Sequence, residues 1–168
     1  MKITKPHTPA AMQNTSKVMH IAVLSDTHGL LRPEVLAACQ GVDHILHAGD
    51  VGNIEILETL RAIAPVTAIR GNIDTHGPCA LLPATEMVEL GGLWFYLVHS
   101  VHDLDINPQS AGVDAVISGH SHKPAQETRN AVLYLNPGSV GPRRFNLPIS
   151  MARLRIAHKE IEVEPITF

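Results

Sequence analysis

Val113-Asp114-Ala115-Val116-Ile117 runs almost directly into Gly119-His120-Ser121-His122. A short apolar run of this kind is a strand buried on both faces, so the His-x-His pair falls where the strand opens into a loop. Imidazole is the commonest side-chain ligand for metals such as zinc, manganese, iron and nickel. Two rings leaving one strand end can face a single point, although the pair alone is equally compatible with two surface histidines. Four other strand ends shift that balance. Asp26-Thr27-His28 follows residues 21–24, Gly49-Asp50 follows Ile45-Leu46, Gly71-Asn72 follows residues 66–69, and His99 follows residues 93–98. Oxygen and nitrogen donors recurring after buried strands imply a sheet whose carboxyl ends collect a ligand site along one edge.

At 168 residues the chain is expected to form one domain at residues 18–168, long enough for a two-layer core. Acidic residues number 16 against 13 basic, so the bulk surface lacks the positive charge that extended nucleic-acid binding requires. A small anionic substrate remains compatible with that balance. Cys39 and Cys79 are isolated, with no Cys-x-x-Cys spacing, which fits free thiols in a reducing compartment. No apolar run approaches the roughly 18 residues of a membrane span, and the start of the sequence has no hydrophobic segment of signal-peptide length. The expectation is a cytoplasmic protein without membrane contact. The oligomeric state is open, a homo-oligomer included.

Residues 1–17 mix Lys, Pro, Thr, Gln and Asn without either hydrophobic period and read as a mobile, disordered tail. Strands are expected at 18–24, 42–48 and 66–70. Helices are expected at 32–40, with Pro33 in the first turn, and from Ile54 onward, where Ile54, Leu57, Leu60 and Arg61 repeat at helical spacing. This strand-helix alternation implies parallel βαβ units. Further along, residues 85–90 and 93–98 flank Gly91-Gly92 as a hairpin, 125–129 and 131–135 suggest another about Asn130, and 150–157 with 160–166 a third around His158-Lys159. A short helix is expected at 107–111, and the second half is read as mostly antiparallel. Both halves fit an α/β fold, a two-sheet sandwich flanked by helices in four αββα layers.

In order along the chain, the donor signals are Asp26-x-His28, Gly49-Asp50, Gly71-Asn72, His99 and Gly119-His120-x-His122. This order resembles the calcineurin-like metallophosphoesterase superfamily, in particular its small bacterial and archaeal phosphodiesterase branch, over about residues 18–166. Residues 136–143, Asn-Pro-Gly-Ser-Val-Gly-Pro-Arg, also look like that branch's Pro-Gly-Ser loop. The resemblance implies two divalent metal ions. Asp26, His28 and His122 would hold the first, Asn72, His99 and His120 the second, and Asp50 would bridge them. The donor set agrees, because a bridge must be anionic with usable oxygens, which Asp supplies and His does not. Two divalent ions less two carboxylates and a bridging hydroxide leave about one positive charge, enough to attract a phosphate ester. Mixed oxygen and nitrogen donors without thiolate favour Mn, Fe, Zn or Ni over Ca or Mg, and manganese is the leading expectation.

The function implied by the resemblance is a metal-dependent phosphodiesterase acting on a small phosphate ester through a metal-bridging hydroxide. The alternatives are a phosphomonoesterase or nucleotidase, and a protein-binding scaffold of the same fold, as the retromer subunit similar to this branch is. His44 and His47 read as structural. His102 is the candidate catalytic contact to substrate beside Asp50, and Ser100 stands where the family has glycine after the histidine. Arg143 and Arg144 read as a solvated basic pair. Many superfamily members have a histidine directly after Gly-Asn to protonate the leaving oxygen. Here the residue is Ile73, which carries no proton to give.

Overall fold

The computed structural model describes residues 17–168. The expected tail at 1–17 therefore lies, except for Lys17, outside the described residues. Among these residues are two five-stranded sheets. In the first sheet, β1 (Met19–Leu24), β2 (His44–His47) and β3 (Val66–Ala68) are parallel, and the antiparallel β9 (Ser150–Ala157) and β10 (Glu160–Thr167) extend it beyond β1. The linking helices are α1 (Pro33–Ala38) and α2 (Ile54–Arg61). Proline sits in the first turn of α1, where its missing N–H costs nothing, and the Asn53 side chain caps α2 by accepting the Glu55 N–H at 3.0 Å.

The three expected hairpins form, so the second half is mostly antiparallel as expected, but the centre of the second sheet is parallel. β4 (Thr85–Leu90) and β7 (Ala125–Arg129) form antiparallel edges, as the two hairpins require. The central strands β5 (Leu93–Val98), β6 (Ala115–Ile117) and β8 (Val132–Asn136) are parallel. β6 is three residues long and buried throughout, the mark of an inner parallel strand. The expected helix at 107–111 is a single turn. Asn107 accepts the Ser110 N–H through its side chain and the Ala111 N–H through its carbonyl, and Gly112, at φ +76°, ends the turn.

Alternation along the strands sorts residues into layers. Ile21, Val23, Leu46 and Ile69 face Phe95, Leu97, Ile117 and Leu135 between the sheets. Ala22, Leu24 and Ile45 face outward and are covered by Val35, Leu57 and Leu60 of the helices. Tyr96, Val98, Val116 and Val132 form the outer face of the second sheet. Their cover is Leu104 and Ile106 of the loop after β5, so the fourth layer is loop and 3₁₀ turn rather than α-helix. The two-sheet α/β sandwich is otherwise as expected. Among the described residues, no helix is long and apolar enough to cross a membrane.

Because the inner strands of both sheets are parallel, their carboxyl ends meet along one edge. His47 braces that edge from beneath. Its Nδ1 accepts the Gly49 N–H at 3.1 Å, which places the ring proton on Nε2, where it meets Thr27 Oγ1 at 3.0 Å; Thr27 in turn donates to the Val51 carbonyl at 2.8 Å. Burial pushes the imidazole down to about 4 from the ordinary 6.5, with Asp74 opposing and His99 reinforcing. Between those values the unfolded chain takes up a proton that the native state refuses. Stability from this group is therefore complete above pH 6.5 and lost as pH falls toward 4, on the order of 3 kcal/mol in all. Urea unfolding at pH 7.5 and pH 5 should show a smaller acid loss in His47→Gln than in the parent. Equal losses would show that His47 does not carry the dependence.

Candidate metal centre

The loops leaving the first sheet run side by side. Asp26 N–H donates to the Gly49 carbonyl, His28 N–H to that of Asp50 and Gly29 N–H to that of Val51, each at 2.9 Å. The parallel ladder thus continues past the strands and carries Asp26, His28 and Asp50 with it. β3 delivers Asn72, β5 delivers His99, and β6 delivers His120 and His122. The two sheets join here through His120 N–H donating to Asp26 Oδ2 at 3.0 Å and His99 Nδ1 donating to the Ala48 carbonyl at 2.7 Å.

Five of the seven expected donors, Asp26, His28, Asp50, His120 and His122, have φ between 46° and 72°. The left-handed region is costly for residues with a side chain, on the order of 1 kcal/mol each, and is held only where the surroundings over-determine it. The turn at each strand end aims the side chain back over the sheet edge.

Each carboxylate is divided in the same way. Asp26 Oδ2 accepts from Ser25 Oγ at 2.7 Å and from the His120 N–H, whereas its Oδ1 is buried with no hydrogen-bond partner. That bare oxygen lies 3.4 Å from His122 Nε2 and 3.6 Å from His28 Nε2, itself buried and unpartnered, as is His122 Nδ1. Asp50 Oδ1 accepts the Ile73 N–H at 3.0 Å. Asp50 Oδ2 lies 3.4 Å from His28 Nε2 and 3.2 Å from His99 Nε2. Asn72 Oδ1 stands 3.1 Å from both His99 Nε2 and His120 Nδ1.

These spacings suit metal binding. The proton on His99 Nδ1 is committed to Ala48, so in the neutral ring Nε2 offers a lone pair, facing the oxygens of Asp50 and Asn72. Lone pairs gathered in this way require a cation. Donors about 2.0–2.2 Å from a common metal stand about 3–3.5 Å apart, which the contacts match. Burial lowers the His99 pKa, but Asp50, the Ala48 carbonyl and Asp26 more than reverse this, so the net shift is upward; a metal held there would displace that proton. Burial raises the Asp50 pKa, but His99 and the Ile73 N–H outweigh it and hold the carboxyl below its usual range. At His122, burial lowers the pKa against the pull of Asp26, and the Arg144 charge lowers it further. Residues Asp26, His28 and His122, and Asp26, Asp50 and His99, form groups able to hold a divalent ion.

The two ends of the cluster differ in exposure. Asp26 and His122 are buried, while Asn72 and His120 are open to solvent. The open end lines a cleft of about 600 Å³ with His99, Arg70, His102 and Asp105. His102 belongs to a 3₁₀ turn, Val101–Asp103, and stands beside the donors rather than among them. Ser100 is extended at φ −113° and ψ 129°, a conformation that needs no glycine, so the substitution leaves His99 in place. Ile73, directly after Asn72, is 41% exposed. His44 contacts Thr67 at 2.8 Å, away from the cluster's hydrogen bonds.

The family model for the calcineurin-like phosphoesterase superfamily domain matches residues 19–159. The chain belongs to this superfamily. A probable metallophosphoesterase of Methanocaldococcus jannaschii is 34% identical to it over 95% of this chain and 90% of its own. A phosphodiesterase of the same organism is 29% identical over 71% of this chain and 83% of its own. The crystal structure of a predicted phosphoesterase from Streptococcus pneumoniae aligns with TM-score 0.71 at 29% identity over 90% of both chains. Vps29 of Entamoeba histolytica, solved with zinc, aligns with TM-score 0.69 at 23% identity over 89% of this chain and 99% of its own, a likeness of fold. The reaction class that goes with membership is metal-dependent phosphoester hydrolysis.

Sequence reasoning did not single out the residues behind the donors. Ser139 Oγ donates to the Asp26 carbonyl at 3.0 Å and accepts the Gly141 N–H at 3.2 Å, so the Pro-Gly-Ser loop clamps the first donor loop. Its Asn136-Pro137-Gly138-Ser139 spelling was the only sequence signal. Gly71 is needed for a different reason, since a Cβ there would overlap the Asp50 carboxylate and its backbone nitrogen. Overpacking costs about 1–3 kcal/mol, and misplacing a reacting group by about 1 Å costs about 10²-fold in rate. Gly71→Ala should therefore lose at least that much phosphoesterase activity while remaining folded by circular dichroism. Retention of parental turnover would show that Asp50 tolerates displacement.

Proposed function

We propose that the chain is a dinuclear metal-dependent phosphodiesterase of small phosphate esters. In this reading Asp26, His28 and His122 hold one divalent ion, Asn72, His99 and His120 the other, and Asp50 stands between them. The observation that carries it is the position of Asp50 Oδ2, within 3.4 Å of one histidine from each set while its other oxygen is tied to backbone. Bound ions would neutralise charge on the phosphoryl oxygens and make water acidic enough to supply a nucleophile near neutral pH. Donors of oxygen and nitrogen suit Mn, Fe, Zn or Ni, with manganese first.

The protein residues do the positioning. Asp50 and Asp26 each keep one oxygen on backbone or hydroxyl donors, so their other oxygens are fixed before any ligand arrives. Asn72 and His120 face the open cleft and meet substrate from that side. The cleft continues past His102 toward Asp105, which leaves room for the second ester group of a diester. His102 lines that wall and is the proposed catalytic contact to the leaving side. Ile73, exposed beside Asn72, offers no proton. The name of the Methanocaldococcus jannaschii phosphodiesterase supports the choice of diester over monoester.

A second reading, a protein-binding scaffold, has the Vps29 likeness in its favour. Against it stand Asp26 Oδ1 and His28 Nε2, buried without partners. A scaffold would retain such groups at about 1–3 kcal/mol each with nothing in return.

Elemental analysis of purified variants tests the allocation. Asp50→Asn should reduce both metal occupancies and remove most activity, His122→Ala should deplete mainly the first ion, and Asn72→Ala mainly the second. Normal stoichiometry and turnover in Asp50→Asn would end the allocation, and the reverse depletion pattern would mean the sets are misassigned.

Ile73 leads to a separate expectation. General acid help is worth about 10²–10⁴ in rate, so rates on a series of diesters should fall steeply as leaving-group pKa rises, and Ile73→His should flatten the slope. Similar rates for alkyl and aryl esters in the parent, with no flattening in the variant, would point to another donor.

A further inference from the structure

We infer that Asp74 is a positioning residue for the second metal ion, acting through the two loops that carry Asp50 and Asn72. This rests on the dinuclear reading above. Asp74 is 3% exposed and lies outside both donor sets. Its Oδ2 accepts the Val51 N–H at 3.0 Å and the Gly71 N–H at 2.8 Å, and its Oδ1 accepts the Gly52 N–H at 2.9 Å. One carboxylate therefore binds backbone on both sides of the gap between β2 and β3.

The positions of those amides matter. Val51 and Gly52 directly follow Asp50, and Gly71 directly precedes Asn72. Asp50 Oδ1 reaches back across the same gap to the Ile73 N–H, so the loops are locked in both directions by two carboxylates that do not touch the same atoms. An ionised carboxylate is the one side chain that accepts three amides at once with no donor of its own to place. Without Asp74 the remaining cross-gap contact from the Asp50 side chain is the one that must also hold a metal. The first ion's residues share this dependence only in part. Asp26 and His28 lean on the Gly49 and Asp50 carbonyls of the same loop, but Ser139 also clamps Asp26, and His122 comes from the other sheet.

Supports of this kind change metal affinity about 10–100-fold when removed. The test is calorimetric titration of the full-length, metal-free protein with Mn²⁺, for the parent, Asp74→Ala and Asp74→Asn. The parent should bind two ions. Asp74→Ala should raise the dissociation constant of the weaker, Asn72-dependent ion about 10–100-fold and that of the first ion, which depends on the braced loops only through Asp50, clearly less. Asp74→Asn, which keeps one carbonyl oxygen for two of the amides, should fall between. Hydrogen exchange at the Val51, Gly52 and Gly71 amides should quicken in both variants even without metal, while core amides keep their protection. Parental affinity at both ions in the variants would overturn the inference alone. Equal weakening at both ions, with exchange accelerated across the core, would replace positioning by general destabilisation and overturn it as well. A parent that binds fewer than two ions would overturn the dinuclear reading itself.

Discussion

Two buried carboxylates, Asp26 and Asp50, each held by one oxygen and turned toward histidine nitrogens with the other, are the constraint on which the site turns. A buried carboxylate without partners costs more than the fold can spare. Anchoring one oxygen to a backbone amide or hydroxyl lowers that cost and fixes the direction of the second. The second oxygens then lie among histidine nitrogens at 3.2–3.8 Å, all but the Asp50–His99 contact too far for good hydrogen bonds and close enough to share a cation. The left-handed backbone at five donors, the glycine at 71 and the Ser139 and Asp74 clamps all serve this arrangement.

That arrangement was open to sequence reading to the extent that it follows strand order. A donor directly after an apolar run must emerge at a strand's carboxyl end, and parallel strands put those ends together, so the nearness of Asp26, His28, Asp50, Asn72, His99, His120 and His122 is legible in the sequence. The structure brings these seven into one cluster and leaves His102 on the cleft wall. The hairpins about Gly91-Gly92 and Asn130 are visible because positive-φ turns favour glycine and asparagine, whereas His158-Lys159 has no such signature and its hairpin is legible only from the flanking strands.

What escaped the sequence has a physical reason. The parallel pairing of β6 with β5 and β8 depends on how the 16 residues between β5 and β6 cross, and loops carry no hydrophobic period. Asn107 to Ala111 has helix-like spacing over one turn, but one turn ended by Gly112 cannot repay nucleation. Asp74 and Ser139 act on backbone atoms of distant loops, a role that no spacing encodes. The N-terminal expectation falls outside the described residues.

The most direct measurement of the central claim is an anomalous-difference map from crystals of the protein grown with Mn²⁺. The account predicts two peaks about 3.5–4 Å apart, flanking Asp50 Oδ2, one beside His28 and His122 and one beside Asn72 and His120. A single peak, or two peaks that Asp50 does not separate, would contradict it.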